Sequence, residues 1–347
     1  MKTNKWFTWM MILAFAIATP LAFAGQKIKV VTTLPDYAYI ADYIGGDKVE
    51  TYHIVSGDQD AHFVRPKPSY AMLMKNADLF VTTGLDLELW VPSLMDMANN
   101  AKIRSGQIGY VAAYDGIDLL DKPSALTRSE GGLHIYGNPH ITSSPLNAKI
   151  IADNIAIGLS KVSPENASFF EANSRRFKDE IDSRLFGDDL VKLIGGKMLT
   201  KLALSGNLIP FLQSKEYKNK KLIDYLGGWL KEGMAFRGQK IVTYHKGWIY
   251  FLTLFGLQEI GNVEPKPGIP PSPKHVEELV NKMRENNVHV ILSANYFSAD
   301  KVKRIATKVG AKAVIVPFYV GGVPEVKTTF DLYDYWLAHL KEAFSGE

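Results

Sequence analysis

Asn138-Pro139-His140-Ile141-Thr142-Ser143-Ser144-Pro145-Leu146-Asn147-Ala148 is the stretch on which the reading of this chain turns. Its histidine follows a proline in a loop. Pro145 and an apolar-periodic run (Ile150, Ile151, Ile155, Ile157, Leu159) then read as a helix beginning just past Asn147. An imidazole is thereby set on a stiff loop beside a helix start. Two further histidines have comparable settings: His62 in Asp60-Ala61-His62-Phe63-Val64-Arg65-Pro66, and His245 in Val242-Thr243-Tyr244-His245-Lys246-Gly247. Three imidazoles far apart in sequence, each on a strand-to-helix loop, suggest one metal site.

Working outward, β-branched runs alternate with helical ones. Lys27 to Thr33 and Val49 to Val55 read as strands separated by a helix, and His62 lies in the loop after the second. Ser69 is the expected cap of a helix through Ala77, which leads to a strand at Asp78 to Thr83 and then to a helix containing Trp90, Leu94 and Met97. Such alternation predicts an α/β sandwich of parallel strands, with ligand-bearing loops at the strand carboxyl ends. Asp121 to Leu133 is polar, lacks periodicity and reads as a mobile loop.

Ser163-Pro164-Glu165 combines a cap, a proline and a first-turn acid, so a helix is expected from there to Phe186, stopping at Gly187 and spanning roughly 35 Å. From Asp188 to Gly238 the pattern is helical but broken by glycines. Strands return at Lys240 to Tyr244, Val288 to Ser293 and Ala313 to Pro317. The prolines of Glu264 to Pro273 predict an extended, rigid connection, after which Ser272 caps a helix from Pro273 to Asn286. The expected organisation is an N-terminal α/β lobe over 25–162, a linking helix over 163–187, and a C-terminal α/β lobe over 188–347 with a helical insertion at about 188–237.

Lys2 and Lys5, an apolar run from Trp9 to Leu21 and then Ala22-Phe23-Ala24 have the three parts of a secretory signal peptide, with cleavage expected after Ala24. Taking the two leader lysines from a net charge of +4 leaves +2, too little to argue for nucleic acid. The remaining 323 of 347 residues favour two domains over one. Cysteine is absent, which excludes disulfides, thiolate ligands and a cysteine nucleophile. It also removes the acylated residue of a bacterial lipoprotein, so a free periplasmic protein without a lipid anchor is expected. Any metal must be held by nitrogen and oxygen. Imidazole suits Zn²⁺, while carboxylate and water suit Mn²⁺ better, so the three histidines lean to zinc.

A histidine in a loop is ordinarily solvated or structural, and His53, His275, His289 and His339 are read so. His134, six residues before His140, is an auxiliary candidate. Trp248, Tyr250 and Phe251 read as helix core.

His62-x3-Pro66-x-Pro68-Ser69 with Gly84-Leu85-x-Leu87-Glu88-x-Trp90, Asn138-Pro139-His140 with Pro145-x-Asn147-Ala148, and Val242-Thr243-Tyr244-His245 with Phe255-Gly256-Leu257 resemble, in order, the three ligand regions of the zinc and manganese solute-binding proteins of ABC transporters, the TroA-like or ZnuA-like family. The resemblance implies two α/β lobes joined by a long rigid helix, a divalent metal in the cleft between them, and delivery to a membrane permease by a monomer that is not an enzyme. It puts His62, His140 and His245 forward as ligands of Zn²⁺, with Mn²⁺ or another transition metal behind it. The chain departs from the family in having Asn138 where an aspartate is usual, and in lacking an acid within Val316 to Gly322, where the family often draws a fourth ligand. Glu325 or a water is left for that place. A zinc hydrolase with a three-histidine site is the rival reading, although no H-E-x-x-H helix is present, and a binding protein for a metal chelate is another.

Overall fold

A computed structural model describes residues 26–122 and 134–345. The leader and most of the polar loop ending at Leu133 lie outside the described residues. The N-terminal lobe runs β1 (Ile28–Thr32), α1 (Pro35–Gly45), β2 (Val49–His53), α2 (Pro68–Lys75), β3 (Leu79–Thr82), α3 (Val91–Ala98), β4 (Tyr110–Ala112) and α4 (Pro145–Val162). Its strands are all parallel, in the order β2-β1-β3-β4. Leu79, Phe80 and Val81 are fully buried, as expected of a central strand covered by helices on both faces.

α5 (Ala167–Phe186) is the long helix that joins the lobes. Phe170, Asn173, Ser174, Phe177, Ile181 and Leu185 form its buried stripe, at the three-and-four spacing of one helix face. Truncating Phe177 to alanine there would cost about 3–5 kcal/mol. Gly187, at φ +82°, ends the helix where the sequence places its stop. The start differs. Pro164–Asn166 is a separate 3-10 turn, and the Ser163 hydroxyl donates to the Glu165 carboxylate instead of capping a backbone amide. Ser69 likewise caps nothing: Pro68 already occupies the first turn of α2 and puts Ser69 inside the helix.

α6 (Asp188–Ile194), α7 (Gly196–Leu204), α8 (Leu208–Ser214), a two-stranded hairpin of β5 (Glu216–Tyr217) and β6 (Lys220–Lys221), and α9 (Gly228–Gly233) make up the insertion. It is helical as expected, apart from that hairpin, whose turn residues Lys218 and Asn219 both take positive φ.

The C-terminal lobe then runs β7 (Lys240–Thr243), α10 (Ile249–Phe255), β8 (Gln258–Asn262), α11 (Pro273–Glu285), β9 (Val290–Ala294), α12 (Ala299–Val309), β10 (Lys312–Val316) and α13 (Thr329–Ser345). Its sheet is again parallel, in the order β10-β9-β7-β8, so the first strand of each lobe is flanked by the second and third. Each lobe therefore has a topological switch point beside its first strand, the place where open α/β sheets bind ligands. Ser272 caps α11 by accepting from the His275 amide. The proline-rich connection before it is not extended throughout, because Gly268, at φ +74°, turns the chain so that Lys266 and Ile269 bridge.

The lobes meet closely. A Cβ placed on Gly57, after β2, would stand 2.3 Å from the Gly322 nitrogen, after β10, so no side chain fits between the two backbones. Trp248, Phe318, Tyr333 and Trp336 form a buried aromatic layer under the cleft, with the Trp336 indole donating to the Pro317 carbonyl and the Tyr333 hydroxyl to the Thr142 carbonyl. Among the described residues, no helix is long and apolar enough to cross a membrane.

Candidate metal centre

His62 lies in a 3-10 turn after β2, His134 and His140 in the segment between β4 and α4, and His245 two residues after β7. All four are on segments that follow the carboxyl ends of strands. Ring centroids of neighbouring imidazoles are 5.0 to 5.5 Å apart. One nitrogen from each ring falls within 4.8 Å of the others.

The opposite nitrogens are all engaged by oxygens. His62 Nδ1 lies 2.8 Å from Asp60 Oδ1, His140 Nδ1 2.9 Å from Asn138 Oδ1, His245 Nδ1 2.8 Å from Glu264 Oε2, and His134 Nδ1 3.0 Å from Asp86 Oδ1. Those contacts put the ring proton on Nδ1 and leave the Nε2 lone pairs facing inward. Asp60 and Asn138 act alike: each side-chain oxygen also accepts the backbone N–H two residues on, at 3.0 Å, so that turn and ring are set by one atom. Asn138 does more, donating from Nδ2 to the Lys246 carbonyl at 2.6 Å across the cleft. A carboxylate could not make that bond, which gives a physical reason for asparagine where the family usually has aspartate.

His140 and His245 are buried, and their Nε2 atoms have no hydrogen-bond partner among the described residues. Burial holds the His140 imidazole well below its ordinary pKa, and the fields of His245, His62 and His134 add to this. Burial also lowers His245, with Glu264 partly opposing it. Both rings are thus neutral at pH 7, as metal ligands must be. Burial pushes the Asp60 carboxyl up, but the hydrogen bonds and charge of His62 outweigh it and leave Asp60 low. Four nitrogen donors about 2.0–2.1 Å from a tetrahedral Zn²⁺ would stand about 3.3 Å apart. His62 Nε2 and His134 Nε2 are 3.4 Å apart. The donor set fits such an ion, and Asp60, Asp86 and Glu264 supply negative charge just beyond it.

The three histidines singled out by sequence are therefore together, and His134 joins them. Asp86 holds that fourth residue, also accepting the Ile135 amide at 3.2 Å. Glu325 does not reach the cluster: it is exposed, and the buried side chain of the preceding segment that faces His140 is Phe318, edge-on at 5.8 Å. His53, His275, His289 and His339 lie outside the cluster, with His53, His275 and His339 bonded to backbone carbonyls. Asp86 and Glu264 were not singled out from sequence; Asp86 follows the expected strand β3, which is the signal that could have found it, whereas the strand before Glu264, β8, was itself not expected.

The family model described as zinc-uptake complex component A, periplasmic, matches residues 30–184 and 213–343, leaving out part of the insertion. Among curated relatives, the manganese ABC transporter substrate-binding lipoprotein PsaA of Streptococcus pneumoniae is 32% identical over 163 residues, 46% of this chain and 50% of that one. The chain thus spans about half the length of the manganese relatives it matches. The high-affinity zinc uptake system protein ZnuA of Bacillus subtilis is 24% identical over 296 residues, 84% of this chain and 78% of that one. A solved crystal structure of ZnuA shares the fold at a TM-score of 0.65 and 22% identity, covering 92% of this chain and all of that one. The manganese-bound periplasmic metal-binding protein of Candidatus Liberibacter asiaticus does so at 0.64 and 20%, with the same coverage of this chain.

Proposed function

The chain belongs to the family of periplasmic zinc-uptake component A, and from that premise we propose that it captures one Zn²⁺ ion in the cleft between its lobes and hands it to the membrane permease of an ABC importer. His62, His140, His245 and His134 are the proposed ligands. The metal is cargo, and the protein is not an enzyme. The lobes over 25–162 and 188–347, with the connecting segment 163–187, are the bodies between which it is held, in a monomer exported to the periplasm.

The observation that carries this reading is the convergence of four inward-facing Nε2 atoms whose Nδ1 partners are already in place. Relatives are named for both manganese and zinc, so the choice of metal rests on the donors. Mn²⁺ is best served by carboxylates, and within the cluster the carboxylates stand behind the imidazoles instead of among them. Calorimetric titration of metal-free protein with Zn²⁺ and with Mn²⁺ tests this. One equivalent of zinc should bind, far more tightly than manganese, and His62→Ala, His140→Ala and His245→Ala should each weaken it. Tighter binding of manganese, or zinc affinity indifferent to all three changes, would overturn the reading.

A further inference from the structure

The turn Pro265–Ile269 is tied to the metal cluster by one side chain. Glu264, two residues after β8, places Oε2 2.8 Å from His245 Nδ1 and with Oε1 accepts the Gly268 amide at 2.8 Å. Its side chain is only 9% exposed. Gly268 is in turn covered from the other lobe: a Cβ there would stand 2.6 Å from Cζ of Phe63. Phe63 follows His62 in the same 3-10 turn. A line of contacts therefore crosses the cleft from His62 through Phe63, Gly268 and Glu264 to His245, and the imidazoles at its ends are 5.2 Å apart.

We propose that Glu264 is a positioning residue that couples metal capture to lobe closure, fixing the His245 ring with one oxygen and, with the other, holding the turn on which Phe63 rests. This rests on the reading of the cluster as a zinc site. A metal on Nε2 requires the proton on Nδ1, which gives Glu264 a donor to bind. A cation on Nε2 also polarises the ring and strengthens its Nδ1–H hydrogen bond to Oε2, a bond that is already formed but weaker without the metal. With the metal bound, Glu264 is held more firmly, and so is the turn whose Gly268 amide it accepts. Metal occupancy at one lobe is thereby passed to the surface that the other lobe touches.

Hydrogen exchange read by mass spectrometry tests the coupling in the full chain. Between Pro265 and Pro271 only Lys266, Gly268 and Ile269 carry backbone amides, so that peptide reports directly on the turn. Zinc should slow its exchange in the parent protein. In Glu264→Gln, zinc should bind about 10- to 100-fold more weakly and no longer slow the turn at saturation. Gly268→Ala keeps the carboxylate but sets a Cβ against Phe63 and strains the backbone at φ +74°, so it too should weaken zinc, and adding Phe63→Ala should recover the part of the affinity lost to the clash. Should Glu264→Gln not fold, the Gly268→Ala pair carries the test. Parent protein that binds zinc through its histidines while the turn exchanges at an unchanged rate would overturn the coupling, as would unaltered affinity in Glu264→Gln or in Gly268→Ala. Failure of the parent to bind zinc at all would instead overturn the proposed function.

Discussion

His62 Nε2 and His134 Nε2 face each other at 3.4 Å while Asp60 and Asp86 hold the far sides of the two rings. With the protons on Nδ1, two lone pairs are directed at one another, an arrangement that a cation between them relieves. His134 is therefore expected to act as a full fourth ligand. Structural zinc sites of four ligands bind with about 10–16 kcal/mol, or about 3 kcal/mol per ligand, so His134→Ala should weaken zinc on the order of a hundredfold. His140→Ala should weaken it further, because that ring is also wholly buried. Competition titration with a chromophoric chelator measures both, and an unaltered dissociation constant for His134→Ala would return the fourth position to water.

Asn138 links the ring of His140 to the carbonyl of Lys246. Asn138→Asp keeps the acceptor for the ring but sets a second oxygen against that carbonyl. Metal-free protein should lose about 1–3 kcal/mol of stability, read as a lower urea midpoint. An unchanged or higher midpoint would show that the amide is not needed there.

Asp36, at the start of α1, reaches the other lobe by accepting the Val320 amide at 3.4 Å. Burial raises its pKa to about 7, with only partial relief from backbone hydrogen bonds. Tyr37, Tyr319 and Tyr333 lie around it, and their ionisation is opposed by its charge. Between the ordinary carboxyl value of about 4 and about 7 the folded chain keeps a proton that the unfolded chain has lost, so this group makes stability fall as pH rises through that window. Asp36→Asn should therefore be the more stable protein at pH 8, by on the order of 4 kcal/mol, with the difference fading below pH 4. Equal urea midpoints at pH 8 would contradict this.

With that slope removed, the histidines act on the acid side against the carboxyls of Glu88, Glu259 and Asp42, which burial raises. The pKa values of His140 and His245 are depressed in the fold, so their contribution to stability is present above the unfolded value of about 6.5 and is lost as pH falls below it. Metal-free Asp36→Asn protein should show a lower urea midpoint at pH 5.5 than at pH 7.5. Zinc affinity should fall over the same interval, since protons compete for the same nitrogens. A midpoint that rises on acidification would place these rings in water.

Both sheets and three of the four clustered histidines were legible because β-branched runs and proline-stiffened loops are local signals. β4 and β8 were not. β4 is an edge strand of only three residues, Tyr110 to Ala112. β8 is also an edge strand, Gln258 to Asn262, with charge and a glycine in it, and its register slips between Ile241 and Val242 of β7. With β8 unseen, Glu264 had no visible reason to approach His245, 19 residues earlier. His134 was harder still, since its partner Asp86 is 48 residues away and nothing near it in sequence marks it as held. The fourth position was sought in the loop after β10, but Phe318 there belongs to the aromatic layer with Trp248 and Trp336. The caps assigned to Ser69 and Ser163 failed for local reasons: Pro68 starts α2 and puts Ser69 inside the helix, and the Ser163 hydroxyl is taken by the Glu165 carboxylate two residues on.

The most direct test of the four-imidazole centre is X-ray absorption at the zinc edge on protein loaded with one equivalent of Zn²⁺. The expected spectrum has four nitrogen scatterers at about 2.0–2.1 Å with the outer-shell pattern of four imidazole rings, falling to three rings in His134→Ala. A first shell dominated by oxygen, with two imidazoles or fewer, would contradict it.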